Sequence, residues 1–147
     1  MRKRGLTLCL IIMFTGCSQQ TEQLKPSTYG NKILKMDQST GITLVIEEDT
    51  IAMEEDELAY VIRNDTDKQI GFGREYSIEK YVDGKWMRIP FKKNIAFQED
   101  GMLLSSHTEG GFNTSFNVLD YNLTEGEYRL IKPYGDIILS DTFHVIR

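Results

Sequence analysis

The chain is poor in the residues that most often build catalytic or stapled sites: two Cys, two His, one Trp and three Pro in 147 residues. Both cysteines, Cys9 and Cys17, lie in the first 17 residues, so no disulfide can brace the remainder of the chain. His107 and His144 are too few for a zinc centre, which takes three or four nitrogen or sulfur ligands. No basic run occurs beyond the N-terminus, and the formal charge is −5. That balance repels phosphate and excludes a nucleic-acid partner. No apolar run approaches the ~20 residues of a membrane-crossing helix. No Gly-x-Ser-x-Gly nucleophile elbow occurs, and Gly71-Phe72-Gly73 sits inside a strand pattern with no helix after it to cradle a phosphate.

What is present begins at the N-terminus. Arg2, Lys3 and Arg4 precede an uncharged run from Gly5 to Phe14, and polar residues take over at Ser18. A basic segment ahead of a short apolar run is the pattern of a secretory signal peptide. A buried N-terminal helix or strand is the alternative, and three clustered charges argue against it. Phe14-Thr15-Gly16-Cys17 resembles the bacterial lipoprotein signal, in which an aliphatic residue and two small ones precede an obligatory Cys. Phe14 departs from the usual Leu. The resemblance implies diacylglycerol on the Cys17 thiol, cleavage between Gly16 and Cys17, and loss of Cys9 with the signal. Fourteen basic residues would then face 22 acidic ones. Two or more acyl chains give stable anchoring where one does not, and the negative body is expected to stay clear of anionic headgroups. Residues 17–40, polar and carrying Pro26 and Gly30, read as a lipid-anchored flexible tether after the signal peptide at 1–16.

From Gly41 the pattern is that of strands. Apolar residues alternate or cluster over 42–48, 57–64, 70–82, 85–89, 111–119, 126–132 and 141–147. In 70–82, Phe72, Tyr76, Ile78 and Val82 share one face, and Glu75, Ser77 and Glu79 the other. Asp83-Gly84 between two such runs predicts a tight hairpin, because a type I′ turn needs positive φ at both central residues. Leu123-Thr-Glu-Gly126-Glu-Tyr128 has the spacing of a tyrosine corner, which buries the ring and returns the hydroxyl to nearby backbone. About seven strands and no convincing amphipathic helix predict an all-β protein, an antiparallel β-sandwich over 41–147.

Asn64-x-Thr66, Gly84-x-Trp86 leading to Pro90, and Gly126-x-Tyr128-Arg129 occur in that order. Together they resemble a small bacterial immunoglobulin-like domain found in secreted and lipid-anchored proteins of Gram-positive bacteria. The resemblance covers 42–147 and implies an immunoglobulin-like sandwich in which Tyr128, Gly126, Trp86 and Gly84 are structural. It supplies no catalytic residues.

Three stretches remain as candidates for chemistry. Residues 47–57 hold seven carboxylates in eleven positions. They read first as a solvated turn that keeps an edge from pairing, and second as a calcium site, although no Asp-x-Asp-x-Asp-Gly loop occurs. Ser105 or Ser106 beside His107 has the composition of a nucleophile and base, but sequence neighbours seldom face one another productively. The irregular stretch 90–110 either covers the open end of the core or carries binding. The expectation is therefore a non-enzymatic binding or accessory module without cofactor or metal. It would be lipid-anchored on the extracytoplasmic face of the cell membrane, with a protein or cell-envelope partner. The alternatives are an inhibitor or modulator of a surface enzyme or receptor and, further off, a calcium-dependent carbohydrate binder or small hydrolase.

Overall fold

The computed structural model describes residues 24–30 and 40–147. Among these, eleven strands run in chain order: β1 (Lys25–Pro26), β2 (Ile42–Ile46), β3 (Thr50–Ala52), β4 (Glu57–Asn64), β5 (Ile70–Phe72), β6 (Ser77–Val82), β7 (Lys85–Arg88), β8 (Met102–Leu104), β9 (Thr108–Ser115), β10 (Gly126–Tyr134) and β11 (Ile137–Ile146). One sheet has the order β1-β7-β6-β10-β11-β3, a second β2-β4-β9, and β5 pairs with β8. All pairings are antiparallel except β3 with β11, which is parallel.

The predicted hairpin is present. Asp83 and Gly84 have φ of 49° and 80°, and Val82 faces Lys85 across the turn. The alternation in β4 places Leu58, Tyr60 and Ile62 inward, where they meet Leu44 and Ile46 of β2. The opposing layer contributes Ile78, Tyr128, Leu130, Phe143 and Val145 to the same core. The Phe143 ring stacks on those of Tyr128 and Phe116, with centroids 5.5 and 6.0 Å apart and planes inclined by 21° and 27°.

The long run at 70–82 is two strands rather than one. β5 pairs with β8, the chain leaves the strand at Gly73–Tyr76, and β6 then enters the six-stranded sheet. Alternation alone cannot distinguish a continuous strand from one that changes sheet between two segments of matching phase. Similarly, 111–119 ends as a 3-10 turn at Phe116–Val118, capped by the Ser115 hydroxyl accepting from Asn117 N–H. Residues 24–30, within the span read as tether, lie on the domain. Lys25 and Pro26 pair with Arg88 and Met87 of β7, Ser27 N–H donates to Trp86 C=O at 2.9 Å, and Leu24 is buried in the core.

Candidate functional site

The residues singled out in the sequence separate into structural devices and surface. Tyr128 is fully buried. Its hydroxyl donates to Thr124 C=O at 2.7 Å and accepts from Thr124 N–H at 3.1 Å, which is the corner expected. Burial raises the Tyr128 phenol above its usual value. Gly126 has φ +146°, and a Cβ there would meet Lys80 Cε at 3.0 Å, so the position needs glycine. Asn64 is a buried amide fully used inside the fold. Its Nδ2 donates to the carbonyls of Lys68, Leu104 and Ser105, and its Oδ1 accepts from Thr66 N–H. The Asn64-x-Thr66 pattern is therefore a turn that joins the end of β4 to β8. Gly16 and Cys17 lie outside the described residues.

The His107 imidazole pairs with Asp67 at 2.7 Å, not with Ser105 or Ser106, and both partners are exposed. His144 is exposed on β11, between the buried Phe143 and Val145. In the stretch 90–110, Phe91 and Phe97 pack edge-on against each other and against Tyr76, at 5.1–5.4 Å. Phe91 also bridges to Leu119. This part of the stretch covers the core, and its last residues form β8 and open β9. The seven carboxylates of 47–57 are all exposed. They flank β3, and Glu47, Glu48, Glu55 and Glu57 line a cleft of about 320 Å³. Among the described residues, no group of three or more His, Cys, Asp or Glu side chains is placed to hold a metal ion.

The sequence reading missed a buried charged cluster on the outer face of the six-stranded sheet. Arg129 and Glu79 are cross-strand partners, 2% and 0% exposed. Arg129 Nε and Nη2 donate to Glu79 Oε2 at 2.8 and 2.6 Å. Nη2 also reaches Ser27 Oγ and Gly30 C=O at 3.1 and 2.9 Å. The guanidinium stacks 4.4 Å from the centre of the Trp86 ring. Inside the sandwich, Lys132 is equally buried. Its ammonium donates to the carbonyls of Gly73 and Glu75 and lies 5.3 Å from the Phe72 ring centre. Burial lowers its pKa to about 8. This lysine fixes the crossing from β5 to β6.

The strand order, the parallel β3–β11 edge and the tyrosine corner are those of an immunoglobulin-like sandwich. The sequence agrees: residues 38–144 match the family described as bacterial Ig-like domain, and the chain belongs to that family. No curated protein matches the sequence. Among solved structures, the chain is similar to a β-glucosidase from Erythrobacter marinus (TM-score 0.45, 15% identity, 72% of this chain and 15% of that one). It is also similar to the alkylpurine DNA glycosylase AlkC of Pseudomonas fluorescens (0.41, 10%, 74% and 31%). A CARDB domain from Pyrococcus furiosus gives 0.35 and 12%, over 71% of this chain and 91% of that one. The chain spans less than a third of the length of either enzyme.

Proposed function

We propose that the protein is lipid-anchored through Cys17 outside the cytoplasmic membrane and that its immunoglobulin-like domain is a non-enzymatic binding or accessory module there. The anchoring half rests on one observation: a basic segment, an uncharged apolar run and Thr15-Gly16-Cys17 stand directly before an Ig-like domain. The non-enzymatic half is supported by the family and by the use of the polar residues. Tyr128, Asn64, Arg129, Glu79 and Lys132 are all engaged within the fold, and the His107 ring holds Asp67. The exposed surface left for a partner includes the acidic edge around β3 and the outer face of β2-β4-β9.

The deciding experiment is metabolic labelling with a fatty acid in a bacterial host. Label is expected in the wild type and absent from Cys17→Ala; equal incorporation in both ends the anchoring reading. A cross-linking capture from membranes, with and without chelator, addresses the module. A partner set unchanged by chelator is expected, and its loss with chelator would move the acidic stretch back to calcium.

A further inference from the structure

The anchor end of the domain is an edge of opposite charge to the rest of it. Leu24 is buried in the core, and the residues after it are fixed by β1 on β7, by Ser27 N–H on Trp86 C=O, and by Arg129 on Ser27 and Gly30. Lys25, Lys85 and Arg88 are exposed along this edge. Lys25 and Arg88 face each other as cross-strand partners, and like charges directly opposed repel. Arg88 is also in register with Glu79, but that carboxylate is committed to Arg129. Among the described residues, none of the ion pairs involves Lys25, Lys85 or Arg88. The carboxylates nearest in sequence are Asp83, at the hairpin tip two residues before Lys85, and Glu22, three residues before Lys25. The seven carboxylates of 47–57 flank β3, the opposite edge of the same sheet. Five strand spacings separate the two edges, roughly 24 Å.

We infer that the β1–β7 edge rests on anionic lipid headgroups, with Lys25, Lys85 and Arg88 toward the membrane and the β3 edge turned outward. The inference rests on the anchoring through Cys17 proposed above. With that anchor, only residues 17–23 separate the lipid from Leu24, and seven residues reach at most about 25 Å. That reach lets the edge lie on the surface but does not by itself keep it within a Debye length; the basic side chains supply the contact. Attraction between basic side chains and an anionic leaflet acts within a Debye length, about 8 Å at physiological ionic strength. The acidic edge, about three such lengths away, is screened from the headgroups. The overall negative charge does not then keep the whole body off the membrane; it orients it.

The test is a lysine acetylation footprint of the full chain, reconstituted from cell membranes into phosphatidylcholine vesicles or into vesicles containing phosphatidylglycerol. Lys68, exposed in the loop after β4, is the internal control. Lys25 and Lys85 are expected to react about threefold or more slowly on the anionic vesicles, with Lys68 unchanged, and to recover in about 0.5 M salt. Lys85→Glu combined with Arg88→Glu is expected to abolish the protection of Lys25. Equal rates on the two vesicles, or equal slowing of Lys68, overturns the inference. Fatty-acid incorporation is read on the same sample. An acylated chain without protection overturns the basic edge alone. Protection without acylation overturns the anchor alone, and absence of both overturns both.

Discussion

Arg129 donates two hydrogen bonds, from Nε and Nη2, to a single oxygen of Glu79, and both side chains are out of contact with solvent. The other carboxylate oxygen, Oε1, is buried with no hydrogen-bond partner among the described residues. A buried ion pair of this kind is weak evidence of stabilisation, because taking both charges out of water offsets most of their attraction. Its asymmetry is what matters. Arg129 also ties Ser27 and Gly30, so the pair links the centre of the sheet to the segment at its edge.

Removing one partner leaves the other charge buried and alone. Arg129→Met is expected to cost about 3–5 kcal/mol, and Arg129→Met with Glu79→Leu to recover most of that loss. Denaturant unfolding followed by the fluorescence of Trp86, the single tryptophan, measures both. Trp86 lies under the guanidinium, so its emission reports the same cluster. A loss below about 1 kcal/mol in the single variant would mean that Glu79 is solvated after all.

Sequence legibility follows the range over which a signal acts. Asp83-Gly84 and Leu123–Tyr128 are local devices, and both are present because their causes lie within six residues of chain. The polar positions of 77–80 mislead for the opposite reason. Alternation puts Ser77 and Glu79 on the face away from the core, and β6 keeps that geometry, yet both are buried. A segment about 50 residues earlier contributes Ser27 and Gly30 to that face, and nothing in the local pattern announces it. The composition of 24–30 reads as a linker because Pro26 and Gly30 are also what an edge strand and its exit turn require. In the candidate site, the acidic stretch was legible as charge. Its position at the edge opposite β1 depends on strand order, which no spacing encodes.

The corner at Tyr128 makes two hydrogen bonds with one residue, Thr124. Tyr128→Phe keeps the ring against Phe143 and removes both. The expected loss is about 1–2 kcal/mol, from one neutral hydrogen bond in each direction; the half-buried Thr124 carbonyl keeps a long contact from Lys80 Nζ. Thermal unfolding compared with wild type reads it. No change would show that the corner is held by ring packing alone.

Lys132 gives the domain an alkaline signature whose sign follows from its pKa. The folded value is lowered to about 8 by burial, whereas the unfolded chain keeps the ordinary 10.4 or so. Between these values the unfolded state binds more protons, so stability rises with pH across that window, by an amount on the order of 1–3 kcal/mol. Below pH 8 both states are protonated and the contribution is flat. Tyr60 acts in the opposite direction. Burial pushes its phenol up to about 12, so the folded state holds the proton that the unfolded state releases from about pH 10, and stability falls from there. The two contributions together rise from pH 8 to about 10 and then turn over. Denaturant midpoints measured from pH 7 to 11 are expected to show the rise in wild type and not in Lys132→Met, while both show the decline set by Tyr60 together with Tyr76 and Tyr128, whose phenols burial also raises. A rise of equal size in the variant would assign it to another group and leave Lys132 charged in the folded state.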